Sequence, residues 1–288
     1  MITDTASENI HWDTVIGPKK SNLSLNLKEI WRYRDLLMLF VKKDIITVYK
    51  QTILGPIWFL LQPIFTTLTY VIIFGRIGGM ADNTVPSILF FMGSVTLWNY
   101  FSDTLNITSK TFSDNASVFG KVYFPRIILP LSKVISGLIK FLIQFILFFV
   151  IWLFFLIKKT PPHIHPNMYI LIFPFLLIIM SALGLGLGLF ITSMTTKYRD
   201  LTFLVSFGVQ LMMFATPVIY PVNKHLQYKF WLFLNPLTSV FEAFKYSFLG
   251  SGILDFGWLL YSCIFTSVVL IFGIFVFNKV ERRFIDTV

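Results

Sequence analysis

The sequence predicts an all-α polytopic membrane protein with six transmembrane helices. Apolar residues fill 56% of its 288 positions and the mean hydropathy is +0.74, whereas soluble domains are about 45–50% apolar. Apolar stretches of about 20 residues, the length that crosses a bilayer as a helix, recur along the chain. The predicted spans cover about residues 53–75, 86–107, 130–157, 168–194, 201–220 and 256–278.

Lysine and arginine residues predict the orientation of these spans. With the N-terminus inside, sixteen of the 24 lie on the cytoplasmic side and six on the other, while Lys133 and Lys140 fall within span three. Cytoplasmic loops carry the excess of these residues in membrane proteins, so both termini are predicted to be cytoplasmic. The net charge of +10 also suits contact with anionic lipid or an anionic substrate, although topology alone accounts for most of it. Residues 1–21 contain no apolar run that would predict a signal peptide.

Residues 1–52 are predicted to form a cytoplasmic segment with an amphipathic helix, and residues 53–288 the transmembrane domain. Asn26 followed by Glu29 is a helix-start signal. From residue 27 to 50, apolar residues recur at helical spacing opposite charged ones, which predicts a helix lying along the cytoplasmic interface. The apolar stripe comprises Ile30, Tyr33, Leu37, Val41, Ile45 and Val48, and the charged side comprises Lys28, Arg32, Asp35 and Lys42. A membrane anchor with no further role is the alternative interpretation.

The segment between spans five and six, residues 221–255, is too short in its apolar pieces for a span and too apolar for an ordinary loop. These pieces, Leu226 to Phe233 and Ser239 to Leu249, are separated by Asn235 and Pro236. Apolar pieces of this length are typical of re-entrant or interfacial helices. The segment is therefore predicted to form a helical hairpin that dips into the outer leaflet.

Small and charged residues inside the spans carry two further predictions. In span four, Gly184, Gly186 and Gly188 predict close helix packing rather than a hinge. In span three, Lys133 lies near the cytoplasmic end, so its side chain is expected to extend to the interface. Lys140 lies about 10 Å further along the helix, at 1.5 Å per residue, and charges at such a depth usually face a cavity.

The sequence contains no machinery for using an energy source. No P-loop pattern occurs, since the single Gly-Lys pair, Gly120 and Lys121, is followed by Val122. Spans one, three, four and five lack the central acidic residue that proton-coupled carriers commonly have. The four histidines fall outside the spans and do not cluster with Cys263, and no nucleophile or carboxylate pair has usable spacing. The sequence thus predicts no catalytic site, no metal site and no cofactor bound by this chain.

Several short motifs follow one another in a characteristic order. They are YRDLL at 33–37, YKQTILGPIW at 49–58, LQP at 61–63, VYFPR at 122–126, LPLS at 129–132, KYRDL at 197–201, TPVIYP at 216–221 and LNPL at 234–237. In this order, and over almost the whole chain, they resemble the integral, Wzm-like permease subunits of type-two ABC exporters of O-antigen, capsule and teichoic acid polysaccharides. Each motif alone would be weak, but their order is characteristic of that family, whose members are multi-pass proteins of the bacterial inner membrane.

The resemblance implies a transporter driven by a partner protein. Permeases of this family are homodimers that bind two copies of a separate cytoplasmic ATPase. That ATPase would bind ATP and Mg and hydrolyse the ATP, for which this chain has no P-loop. The interface helix and the loop between spans two and three, residues 109–126, are the family's contacts with that ATPase. On this sequence the resemblance places the ATPase contacts at Arg32, Lys43, Phe119 and Tyr123. Membrane lipids are the other expected partners, and nucleic acid is not expected.

The resemblance also implies a channel lined by spans one and five. On this sequence its lining would be Trp58, Phe59, Phe65, Tyr70, Phe74, Phe203, Phe207, Met212, Met213 and Phe214. Sugar rings present apolar C–H faces, and an aromatic ring contacts them without a fixed hydrogen-bond register, so a polymer can slide past. Most aromatic residues of a membrane protein nevertheless face lipid, neighbouring helices or the interfaces.

The expected substrate is a polysaccharide linked to undecaprenyl diphosphate. Lys121, Arg126 and Lys140 are the candidate residues for its anionic head group, because charge-assisted hydrogen bonds hold phosphate. A lipid or drug exporter of the same superfamily is the first alternative. A channel or structural membrane protein without nucleotide coupling is an alternative from another class.

Overall fold

The computed structural model describes residues 27–51, 55–80, 82, 84–115, 124–158, 164–195, 198 and 200–285, and regular structure in these ranges is entirely helical. We number the α-helices in chain order. They are α1 (Leu27–Arg32), α2 (Arg34–Gln51), α3 (Trp58–Tyr70), α4 (Ser87–Ser109), α5 (Thr111–Asp114), α6 (Ile128–Lys158), α7 (Phe173–Thr195), α8 (Leu201–Ala215), α9 (Lys229–Phe233), α10 (Pro236–Leu249) and α11 (Phe256–Ile285). A π-helical stretch, Val71–Ile77, continues α3, and 3₁₀ turns, Met168–Ile172 and Val222–Tyr228, precede α7 and α9.

Within the described ranges, four helical segments are long and apolar enough to cross a membrane, and they confirm spans one, three, four and six as apolar helices. They are Trp58–Ile77, Ile128–Lys158, Met168–Thr195 and Phe256–Glu281. The helices at the other two predicted spans differ in a physical way. α4 has 23 residues but is more polar, and α8 is apolar but has only 15 residues, which extend about 22 Å at 1.5 Å per residue. As membrane spans these two helices remain predictions.

α4 lies at the centre of the helical body, in contact with α3, α6, α7, α8 and α10. Every residue of α4 from Leu89 to Trp98 is buried. Gly93 allows the aromatic core to come close, since a Cβ there would lie 2.6 Å from the ring of Phe244 and 3.1 Å from that of Phe148. The surrounding helices therefore pack against α4 as their common core element.

The three glycines of α7 lie at two different helix contacts, which confirms the prediction of close packing. A Cβ at Gly188 would lie 2.5 Å from the Cβ of Thr108, and one at Gly184 would lie 3.0 Å from the methyl group of Thr104, both in α4. Gly186 faces the opposite neighbour, α11, where a Cβ would lie 2.8 Å from the Cα of Leu270. Small residues thus bring α7 against α4 and α11 at once.

α2 packs along α6, and the predicted apolar stripe lies on the covered side of α1 and α2. Of that stripe, Ile30, Tyr33, Leu37 and Ile45 are partly covered and Val41 is buried, whereas Lys28, Arg32, Asp35 and Lys42 are exposed. The side chain of Val48 lies outside the described residues. The structure differs from the single predicted helix in a turn at Tyr33, which separates α1 from α2.

α9 and α10 are two short helices joined at Leu234 and Asn235. The side-chain oxygen of Asn235 accepts a hydrogen bond from the backbone N–H of Leu237 at 3.0 Å and so caps α10, with Pro236 at its first position. The amide nitrogen of Asn235 donates to the hydroxyl of Thr216 at 2.8 Å. Two of the sequence motifs are thereby joined where α8 ends and α10 begins.

Candidate translocation surface

α3 and α8 each leave one side uncovered. In α3 only Pro63 and Thr67 are buried, and in α8 only Val209 is buried. The side chains on the uncovered sides are large and apolar, and Phe203 is 81% exposed. Five of the ten predicted lining residues are exposed on these sides, namely Trp58, Phe65, Phe203, Phe207 and Phe214. We call these uncovered sides of α3 and α8 the aromatic face.

The other five predicted lining residues are partly buried, and four of them lie where α3 meets α8. The hydroxyl of Tyr70 donates to the sulfur of Met213 at 3.6 Å. The Tyr70 ring also packs edge-on against Phe74 at 5.3 Å and against Phe91 of α4 at 6.3 Å. Met212 packs against the same buried core. Tyr70 therefore joins α3, α4 and α8 at one end of the aromatic face.

Lys140 lies beside the fifth of these residues. Its ammonium group lies 5.5 Å from the ring centroid of Phe59, which is a cation–π contact between α6 and α3. Lys140 also attracts the carboxylate of Asp103 in α4. Sequence analysis did not select Asp103, although it is the one acidic residue of predicted span two, and a carboxylate within a span is a recognisable signal.

Lys133 has a partner that sequence analysis did not foresee. Its ammonium group lies 2.6 Å from the carboxylate of Asp44 in α2, and the hydroxyl of Ser136 donates to the same carboxylate at 3.3 Å. The partner belongs to α2, the helix predicted to lie along the cytoplasmic interface, and the extension of Lys133 to that interface stays a prediction. The two charges are both partly buried, so this ion pair fastens α2 to α6.

The remaining predicted site residues lie away from the aromatic face or outside the described residues. Arg126 is 9% exposed; burial lowers the pKa of its guanidinium group, while the carboxylate of Glu281 raises it. Arg32 and Lys43 are exposed on the outer side of α1 and α2. Lys121, Phe119 and Tyr123 fall outside the described residues. Among the described residues, no group of three histidine, cysteine or acidic side chains could hold a metal ion.

A second buried charge pair lies in α10, which sequence analysis had treated as apolar. Glu242 and Lys245 are each 1% exposed and lie 3.1 Å apart. The Lys245 ammonium also donates to the carbonyl of Pro217 at 2.5 Å and lies 4.4 Å from the ring centroid of Phe90 in α4. The second carboxylate oxygen of Glu242 accepts the backbone N–H of Ile253 at 3.1 Å. One ion pair thus connects α10 to α4, to the end of α8 and to the start of α11.

Comparison with known proteins identifies the family. A family model described as ABC-2 type transporter matches residues 35–249. The O-antigen export system permease protein RfbA of Myxococcus xanthus is 28% identical over 223 residues, which are 76% of this chain and 82% of the relative. Two proteins of the same name from Klebsiella pneumoniae are 26% identical over 266 residues and 27% identical over 256 residues. These matches cover 92% and 88% of this chain and 99% and 94% of the relatives. The chain therefore belongs to the ABC-2 type transporter family of membrane transport subunits.

Proposed function

We propose that this chain is the membrane-spanning subunit of an ATP-driven exporter that moves a lipid-linked, O-antigen-like polysaccharide from the cytoplasm to the periplasm. One observation carries this proposal. Three relatives, each named an O-antigen export permease, match 76–92% of this chain. The aromatic face supports it, because a sugar polymer needs a surface that it contacts without deep binding.

The proposed topology has six spans in the bacterial inner membrane and both termini in the cytoplasm. α4 and α8 complete the six, since α4 packs against α3, α6 and α7, and α8 packs against α4 and α7. α1 and α2 form the interface helix, whose exposed side combines Trp31 with basic residues that suit lipid head groups. α9 and α10 form the re-entrant periplasmic hairpin, because both are too short to cross a bilayer.

The proposed channel forms between two copies of the chain. A two-fold symmetric dimer brings identical surfaces together, so the aromatic face of one protomer would lie opposite that of its partner. Uncovered rings such as Phe65 and Phe207 then flank a path between the protomers. Their contacts with the C–H faces of sugars are individually weak and repeat along the path, which favours movement over capture.

Export is expected in a bacterial strain that lacks its own O-antigen permease and is supplied with this chain and its partner ATPase. Surface polysaccharide, measured by gel electrophoresis of envelope extracts, should return. The wild-type chain purified alone should hydrolyse no ATP. If the complex assembles and consumes ATP but no polysaccharide reaches the surface, the lipid or drug exporter becomes the better interpretation.

The exposed basic side of α1 and α2 is the proposed docking surface for the ATPase. Charge reversal at both Arg32 and Lys43 should reduce recovery of the ATPase in pull-downs by about tenfold, since opposed interface charges become like charges. Lys158→Glu is the matched control, because it reverses an exposed charge at the far end of α6. Equal recovery from all variants, at equal amounts of inserted protein, would place the docking surface elsewhere.

Lys140 is the described residue best placed to receive the anionic head group, and the other two candidates, Lys121 and Arg126, precede the same span in the sequence. An ammonium at membrane depth costs about 2.5–3.5 kcal/mol on insertion scales, and its contact with Phe59 leaves it at the edge of the aromatic face. Undecaprenyl diphosphate supplies the complementary charge.

Replacement of Lys140 by Met should lower surface polysaccharide at least about fivefold, since a charge-assisted contact worth about 1.5 kcal/mol or more is lost. Lys140→Arg should retain most of the export. Lys158→Met is the control, because Lys158 lies on the same helix and also contacts a phenylalanine ring, that of Phe154 at 5.1 Å. Normal export by Lys140→Met would show that the head group is recognised elsewhere.

A further inference from the structure

α4 carries a polar stripe that neither the predicted channel nor the aromatic face includes. In the C-terminal half of this helix the residues that are not buried are almost all polar and recur every three to four positions, which places them on one side of the helix. They are Asn99, Ser102, Asp103, Asn106, Ile107 and Lys110. The amide nitrogen of Asn106 donates to the hydroxyl of Ser102 at 3.3 Å. We call the five polar members of this set the polar stripe.

The polar stripe borders the aromatic face. At the C-terminal end of α4, Asp103 attracts Lys140, whose ammonium lies over Phe59 of α3. At the other end, Phe91 contacts Tyr70 of α3, which bonds to α8. α3 therefore runs antiparallel to α4 along the side of the stripe, since eleven residues separate Phe59 from Tyr70 and twelve separate Asp103 from Phe91, about three helical turns in each case.

The polar stripe is incompatible with a surface that faces lipid. A carboxylate that faces hydrocarbon within a span is costly, and amide groups that face hydrocarbon add to this cost. Lys140 offsets part of this cost, but Asp103 is still exposed within the chain, so folding of the single protomer relieves the cost only in part. A path that holds water and a hydroxyl-rich molecule would relieve it.

We propose that the polar stripe of α4 is the hydrogen-bonding side of the path for the polysaccharide, and that the aromatic face is its apolar side. This rests on the proposed function. Asparagine amides and serine hydroxyls both donate and accept hydrogen bonds, as sugar hydroxyls do. The carboxylate of Asp103, a member of the stripe, would repel phosphate, so the stripe favours neutral hydroxyl groups over a second phosphate site. Sugar rings would contact aromatic side chains through their faces and the stripe through their edges.

Cysteine accessibility in the assembled transporter tests this placement. Single cysteines at Asn99, Ser102 or Asn106, with Cys263→Ser, are treated in membranes with a charged, water-soluble thiol reagent. They should react at least about tenfold faster than a cysteine at Ile178, an exposed apolar position of α7, because the reactive thiolate is disfavoured in hydrocarbon. Labelling should slow in cells that synthesise the polysaccharide compared with cells whose synthesis is blocked.

Export by substituted variants provides a second measurement. Asn106→Leu should lower surface polysaccharide about fivefold, the factor expected from one lost hydrogen bond, at unchanged membrane content and ATPase recovery, whereas Asn106→Gln should retain export. Unreactive cysteines, or labelling at a rate that is independent of polysaccharide synthesis, would each overturn the placement. Failure of the proposed function can be distinguished from failure of this placement, because in the first case even the wild-type chain would restore no export.

Discussion

Loss of one partner of the Glu242–Lys245 pair is expected to cost about 3–5 kcal/mol of folding free energy, because it leaves an uncompensated charge in a dry interior. Lys245→Met keeps the length of the side chain but leaves the Glu242 carboxylate buried and removes the donor to the carbonyl of Pro217. The thermal midpoint in detergent should fall by at least about 6 °C, at about 2–4 °C per kcal/mol.

A double variant separates the ion pair from simple packing. Glu242→Gln combined with Lys245→Met removes both charges and should be clearly more stable than Lys245→Met alone, since no charge remains buried without a partner. Lys229→Met in α9 is the matched control, because Lys229 contacts Phe233 but is only half-buried. If the double variant loses as much folding free energy as Glu242→Gln and Lys245→Met lose in total when measured singly, the pair contributes through packing alone.

Gly273→Ala is expected to prevent close packing of α7 and α11. A Cβ at this position would overlap the backbone carbonyl of Gly186 and lie 3.2 Å from its Cα. Backbone atoms cannot rotate away as a side chain can, so the two helices must separate. The cost should reach or exceed the upper end of the 1–3 kcal/mol that overpacking usually causes.

Gly208→Ala in α8 is the control for that substitution, because nothing lies within 4 Å of a Cβ there and alanine favours the helix. The measurement is the fraction of protein that remains monodisperse in size-exclusion chromatography after heating. Gly273→Ala should fall well below the wild type, and Gly208→Ala should match it or exceed it. Similar curves for both variants would mean that α7 and α11 do not pack through their glycines.

Helical periodicity and small residues carried most of what could be predicted from the sequence. The covered stripe of α1 and α2 follows from the spacing of residues such as Tyr33 and Leu37, since spacing alone determines which side chains share a helix face. The packing of α7 follows from Gly184 and Gly188, because only small residues permit such close approach. Both predictions depend on local pattern, which the sequence contains in full.

Contacts between distant residues could not be predicted in the same way. Lys133 and Asp44 are 89 positions apart, and nothing local pairs them. Lys245 was counted among the charges on the outer side of the membrane. Its burial could not be predicted, because it depends on contacts with Pro217 after α8 and with Phe90 of α4. The polar stripe was in principle visible, since Asp103 interrupts an otherwise apolar stretch. That the stripe borders the aromatic face could be recognised only from the structure, which places α3 beside α4.

The ion pair between Asp44 and Lys133 links α2 directly to α6. Lys140 lies seven residues beyond Lys133 on the same rigid helix, about 10 Å along its axis. In the proposed transporter, a shift of α2 caused by the ATPase would therefore move the ammonium group that lies over Phe59 without any long relay of side chains. ATP hydrolysis would then displace the Lys140 ammonium relative to the Phe59 ring at the entrance of the path.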